Sequence, residues 1–126
     1  MAVPILKQGQ LLIATIQTEL TDKDWYEFQT EITRLVGVHR SKGVVLDVSV
    51  LDVLDSFATK SLRNIAEMVK LRGARAVVVG IHPDVAFTMV QLGLTLYGID
   101  TAIDLEYGLQ LLNGVTAGNG TGYGRN

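Results

Sequence analysis

Short, apolar, β-branched segments alternate with segments of helical periodicity along most of this 126-residue chain. GVVLDVSV, at 43–50, and ARAVVVGI, at 74–81, have the composition of strands that are buried on both faces of a sheet. An amphipathic segment follows each of them. Strands that alternate with helices in this way imply a largely parallel sheet with crossover helices, and the length suits one domain. We therefore predict a single α/β domain.

The flanking segments predict how the sheet begins and ends. PILKQGQLLIATIQ, at 4–17, has two short apolar runs on either side of Gly9, which favours an antiparallel pair of strands. GIDTAI is typical of a short last strand. We therefore expect a mixed, mostly parallel sheet with an antiparallel N-terminal strand pair and about four helices. The domain is predicted over 1–113, and a Gly-rich flexible tail over 114–126.

Capping residues predict where the helices begin and end. Thr21 or Asp22 can accept hydrogen bonds from the first N–H groups of the first helix, and Gly37 is a plausible end for it. Pro83 suits the first position of the third helix, and Asp104 is expected to cap the fourth. The apolar residues of the third helix that we expect to face inward are Val85, Ala86, Met89, Val90 and Leu92.

Charge and composition argue against several classes of function. The formal net charge is -2, and Lys and Arg are scattered, so the sequence gives no support for nucleic-acid binding. Without cysteine the chain has no disulfide, thiolate nucleophile or Cys-ligated zinc site. The longest uncharged stretch, 85–99, is too short to span a bilayer, and the N-terminus has no signal-peptide pattern. We expect a cytoplasmic protein with no cofactor and no nucleic-acid or membrane partner.

The segment LDVLDSFATKSL, at 51–62, is where a buried strand gives way to the second helix. Ser56 is expected to be the N-cap of that helix, a role worth about 1 kcal/mol. The same hydroxyl is a candidate phosphoacceptor. A phosphate there would meet the positive end of the helix dipole, but Asp52 and Asp55 would repel it. The two roles are compatible with each other.

Two catalytic alternatives use residues at the same edge of the sheet. Asp47, at the end of a strand, could mimic the phosphoacceptor aspartate of a receiver domain, although no acidic pair follows the first strands to hold magnesium. A small hydrolase could use Ser56 with His82 and Asp84, but no G-x-S-x-G elbow surrounds the serine. A strand-end carboxylate that caps a turn is the simpler interpretation of Asp47.

Three segments in order carry a resemblance to a known family. They are VVLDVSVLDVLDSFATKSL, GARAVVVGIHPDVAFTMVQLGL and TAIDLEYGLQLL. Together with the antiparallel start, they resemble the STAS domain of anti-sigma-factor antagonists, most closely the single-domain scaffold proteins of the bacterial stressosome. The resemblance covers about residues 3–112, and the Asp55-Ser56 pair matches the phosphorylation motif of the family.

The resemblance implies a non-enzymatic role in stress signalling. Proteins of this kind assemble with paralogous STAS scaffold proteins into a large cytoplasmic oligomer that sequesters a serine/threonine kinase. Phosphorylation of the motif serine, Ser56 here, releases the kinase towards sigma-factor signalling, and a serine phosphatase resets the scaffold. Asp55, Phe57 and Thr59 are the expected partner-binding residues, and Thr59 is a possible second phosphorylation site.

Overall fold

The computed structural model describes residues 3–116, in which four helices cover a five-stranded sheet. The strands are β1 (Ile5–Gln8), β2 (Leu11–Thr15), β3 (Gly43–Asp47), β4 (Arg75–Val79) and β5 (Asp100–Ala102). The helices are α1 (Asp22–His39), α2 (Ser56–Leu71), α3 (Pro83–Gln91) and α4 (Leu105–Thr116). This order confirms the predicted α/β fold. Within the described residues, no helix is long and apolar enough to cross a membrane.

The sheet follows the chain, in the order β1-β2-β3-β4-β5. β1 and β2 are antiparallel, with Gln8 opposite Leu11, and the other neighbours are parallel. Gly9 permits the tight connection between β1 and β2, because its φ of +61° lies in the left-handed region. The parallel strands are joined by α1, α2 and α3, and right-handed crossovers place these three helices on one face of the sheet.

Alternating strand residues supply two hydrophobic layers. Val44 and Leu46 of β3 pack in the layer that contains the buried residues of α1, α2 and α3. Val45 points to the other face, where it shares a smaller layer with Leu112 of α4. Because both faces of the central strands are covered, they consist of continuous apolar runs, as the sequence predicts.

Several predicted helix ends are confirmed. Thr21 caps α1 in a reciprocal capping box with Asp24. Pro83 occupies the first turn of α3, and Asp104 accepts a hydrogen bond from the backbone N–H of Tyr107 at 3.0 Å. α4 extends to Thr116, three residues beyond the predicted end at 113. Residues 117–126 of the predicted tail lie outside the described residues.

Two predictions about helices are wrong. α1 continues past Gly37 to His39 and is closed by Arg40, which has a φ of +49°. Gly37 instead leaves room for the Arg72 guanidinium, which a side chain at that position would strike. In α3 only Val85 and Met89 are buried, because this short helix beside the edge strand β5 covers the sheet with one stripe. Three residues that we expected to face inward are exposed instead: Ala86, Val90 and Leu92.

Candidate functional site

The N-terminus of α2 lies at the carboxyl edge of the sheet, and Asp55, not Ser56, caps it. Asp55 has extended backbone angles (φ -78°, ψ -177°), and its Oδ1 accepts a hydrogen bond from the N–H of Ala58 at 2.8 Å. Ser56 is already the first helical residue. The prediction that Ser56 caps the helix is therefore wrong by one position. Either residue type caps well, and the extended backbone at position 55 decides between them.

Ser56 presents an exposed hydroxyl on the first turn of this helix. Across residues 3–116, no side-chain hydrogen bond involves this hydroxyl. The N–H groups of the first helical turn give the position a positive potential. Lys60, one turn further along α2, is exposed and adds a positive charge, whereas the exposed carboxylates of Asp52 and Asp55 oppose it. The hydroxyl is thus accessible to a modifying enzyme. Positive and negative groups both contribute to the electrostatic potential around it.

Thr59 lies in the interior and not on the surface. Its side chain is 0% exposed, and its hydroxyl donates a 2.8 Å hydrogen bond to the backbone carbonyl of Asp55. Neither a kinase nor a binding partner reaches this hydroxyl in the folded domain. The burial contradicts the prediction that Thr59 is a partner contact or a second phosphorylation site.

We expect Asp55→Ala to lower the free energy of unfolding by about 1 kcal/mol, because the N–H of Ala58 loses its acceptor. Ser56→Ala should change it by less than about 0.5 kcal/mol, because the Ser56 hydroxyl supports no other group. Urea unfolding of both variants measures the two values. Asp55→Asn, which retains a capping oxygen, serves as the control and should unfold close to wild type. An equal cost for the two alanine variants would restore Ser56 as the cap.

An aromatic pair lies beside Ser56 and joins α1 to α2. The ring of Phe57 is half-buried and meets the ring of Tyr26 edge-on, with centroids 5.7 Å apart and planes at 73°. Tyr26 is 61% exposed. Sequence reasoning missed Tyr26, although the helical period of Trp25 and Phe28 leaves it off the buried stripe. An aromatic side chain outside the core stripe was the available signal.

The segment between β3 and α2 is anchored by two buried leucines that are three residues apart. Leu51 and Leu54 are buried, whereas Val50 and Val53 are more than half exposed. Both backbone polar groups of Ser49 are hydrogen-bonded to side chains. Its N–H donates to Asp47 Oδ1 at 2.9 Å, and its carbonyl oxygen lies 2.5 Å from His82 Nε2, which must therefore be the donor. The segment that leads to Ser56 is thus fixed, with apolar side chains on its outer surface.

The same contacts give Asp47 and His82 structural roles. Asp47 caps the turn at Ser49, which is its simpler predicted role. Within the described residues, His82 makes its only side-chain hydrogen bond to Ser49, and none joins it to Ser56 or Asp84. A cleft of about 610 Å³ contains Asp47 and His82 in its wall, but its described lining does not include Ser56. Among residues 3–116, no group of three or more His, Cys, Asp or Glu side chains could hold a metal ion.

Comparison with known proteins agrees with this geometry. The model of the STAS domain family matches residues 2–102. A serine-to-glutamate variant of Moorella thermoacetica RsbS is 36% identical, with a TM-score of 0.78 over 91% of this chain and 97% of that chain. A chain from a structure of the stressosome, described as a signal integration and transduction hub, is also 36% identical, with a TM-score of 0.74 over 90% of this chain and 98% of that one.

A longer relative extends the comparison. The RsbT co-antagonist protein RsbRA of Bacillus subtilis is 31% identical over 99 residues, which are 79% of this chain and 35% of that protein. The chain therefore spans about a third of the length of RsbRA. These matches confirm the predicted resemblance to the stressosome proteins among the anti-sigma-factor antagonists. With a family match over most of its length, the chain belongs to the STAS-domain family.

Proposed function

We propose that this chain is a non-enzymatic, phosphorylatable scaffold of a cytoplasmic stressosome-like assembly. It would hold a serine/threonine kinase while Ser56 is unmodified, and release it towards sigma-factor signalling when Ser56 is phosphorylated. A serine phosphatase would restore the holding state. The observation that carries the proposal is the exposed Ser56 hydroxyl, without a hydrogen-bond partner in the described chain, at the start of a helix in a protein similar to RsbS.

The unmodified surface suits a protein partner. Phe57 and Tyr26 form an aromatic contact area beside Ser56, and Val53 of the preceding segment is 52% exposed. Aromatic side chains of this kind are enriched at the centres of protein interfaces. Asp55 is exposed and precedes Phe57 by two residues. Asp55 and Phe57 therefore remain the proposed contact residues from the sequence, and Tyr26 joins them.

Phosphorylation would act on the interface more than on the fold. A phosphate adds about -1.5 to -2 charges at neutral pH. The helix N-terminus and Lys60 can accept that charge without unfolding α2. A partner seated over Ser56, however, would have to desolvate the dianion beside Asp52 and Asp55, which is costly without a matching positive charge. Release of the partner is the expected result.

The test is retention of the kinase on the immobilised chain. We expect the cognate kinase to bind without ATP and to leave when ATP is added, because it phosphorylates Ser56. Ser56→Ala should retain the kinase in the presence of ATP, and wild type with a non-hydrolysable ATP analogue provides the matched control. Equal release from wild type and Ser56→Ala on addition of ATP would contradict the proposed switch.

A further inference from the structure

A cavity of about 320 Å³ lies at the amino edge of the sheet. Its walls come from the last turns of α2, from the start of β4 and from residues 98–100, which lead into β5. We call it the α2–β5 cavity. Ser56 begins the same helix at the opposite edge of the sheet, so the cavity is separate from the candidate phosphorylation site.

The unequal lengths of α2 and α3 explain why the cavity exists. Both helices start at the carboxyl edge, but α2 has 16 residues and rises about 24 Å, whereas α3 has 9 residues and rises about 14 Å. In the described residues, the last turns of α2 therefore have no helix beside them on the side of β5. The irregular segment 92–99 returns there instead. It is joined to α2 by a 2.8 Å hydrogen bond from Arg63 Nη1 to the backbone carbonyl of Thr95.

Small side chains keep the cavity open. Ala74 and Ala76, at the start of β4, are buried and form part of its lining, and Ala66 lines it from α2. Ile99 also lines it and packs against the larger core layer, so the apolar interior continues from the core into the cavity. An apolar cavity of about 150 Å³ can hold one benzene ring, so this one has room for about two fused rings.

Two exposed positive side chains, Lys70 and Arg75, belong to the lining of the same cavity. Arg75 Nε donates to Asp100 Oδ2 at 2.5 Å, which fixes the orientation of the guanidinium plane. Within residues 3–116, no hydrogen bond or ion pair uses the terminal nitrogens of Arg75, and none involves the ammonium of Lys70. Both groups can therefore donate to an anion that enters from solvent.

The local charge favours an anion. Asp100 offsets one of the two positive charges, and the C-terminal end of α2 contributes about -0.5 of a charge, so the balance stays positive. The carbonyls of Val69 and Lys70 at that end already accept hydrogen bonds from the backbone N–H groups of residues 72–74. A cation would find few free acceptors there, and it would meet the ammonium and the guanidinium directly.

We propose that the α2–β5 cavity binds a small organic carboxylate whose aromatic body has about two fused rings. The rings would lie against Ala66, Ala76 and Ile99, and the carboxylate would accept hydrogen bonds from Arg75 and Lys70. A mostly apolar lining with a few convergent polar groups is the usual form of a small-molecule site. This binding goes beyond the proposed switch and does not depend on it.

The test is a two-dimensional amide NMR titration of the full chain with 2-naphthoate. We expect a Kd between about 10 µM and 1 mM, a range usual for a ligand with so few atoms. The largest shifts should occur at residues 74–76 and 98–100. Nuclear Overhauser effects from the rings to the methyl groups of Ala66, Ala76 and Ile99 should locate the ligand in the wild-type chain. 2-Naphthylmethylamine has the same rings and the opposite charge, and it should bind at least about tenfold more weakly.

Two variants separate the contribution of the rings from that of the charge. Ala66→Leu places a larger apolar side chain in the cavity and keeps a residue that favours helix, so it should abolish binding while the chain stays folded. Lys70→Gln removes one positive charge and should weaken binding about tenfold. Lys7→Gln is the matched control. It makes the same change on exposed β1, at the far edge of the sheet, and should bind like wild type.

Four results would overturn the proposal. The first is a wild type without amide shifts at millimolar 2-naphthoate, and the second is an equal affinity for 2-naphthoate and 2-naphthylmethylamine. The third is unchanged binding of 2-naphthoate to Ala66→Leu. The fourth is a set of ring contacts in the cleft beside His82 in place of the contact with the Ala66 methyl group.

Discussion

Ser56→Glu is expected to weaken binding of the cognate kinase on the order of a hundredfold, because an unmatched charge is brought into a protein interface. The carboxylate would stand on the first turn of α2, beside the carboxylates of Asp52 and Asp55. It carries less charge than a phosphate, so phosphorylation itself should have the larger effect. Isothermal titration with purified kinase measures the change.

The matched control is Ser56→Gln, which adds nearly the same bulk without a charge. We expect it to weaken binding much less than Ser56→Glu, and the difference between the two variants to shrink as salt is raised. Two variants with equal affinities would show that shape at position 56, not charge, governs the contact. Circular dichroism should show the same helix content in both.

Gly80→Ala is expected to lower the free energy of unfolding by about 3 kcal/mol, from backbone strain and overpacking together. Gly80 has a φ of +83°, which a residue with a side chain rarely adopts. A Cβ at this position would lie 2.6 Å from Cβ of Ser49. The segment that leads from β3 to Ser56 would therefore have to move. Denaturant unfolding at neutral pH measures the cost.

Gly73→Ala separates the two contributions. Gly73 has a similar φ of +89°, but a Cβ there would have no neighbour within 4 Å. It should cost about 1–2 kcal/mol, the strain alone. The excess for Gly80→Ala is then the contact with Ser49. Equal losses in the free energy of unfolding for the two variants would mean that the segment at Ser49 moves aside at no energetic cost.

Most of the fold could be predicted because its strands are buried on both faces. Val44, Val45 and Leu46 form a continuous apolar run, a pattern that few structures other than a covered parallel strand accommodate. The exposed face of α3 could not be predicted in this way. Apolar residues occupy most of the circumference of α3, a pattern that predicts burial on more than one side, but the chain buries only the stripe of Val85 and Met89.

The start of α2 was predicted to within one residue. Asp55 and Ser56 are both good capping residues, so composition could not decide which one has the extended backbone. The burial of Thr59 depends on tertiary packing. On one side of α2, Arg63 donates a hydrogen bond to the backbone carbonyl of Thr95 in the segment after α3. Neighbouring elements therefore cover a wider arc of α2 than the apolar stripe in its sequence indicates. Tyr26 is brought to Phe57 only by the packing of α1 against α2.

The most direct test of the switch is to identify the phosphorylated residue by mass spectrometry, after incubation with the cognate kinase and ATP. We expect one phosphate, on exposed Ser56, and none on Ser56→Ala. Thr59 should remain unmodified, because its hydroxyl is buried against the carbonyl of Asp55. A phosphate on Thr59, an acyl phosphate on Asp47, or no phosphate at all would contradict the claim that Ser56 is the switch.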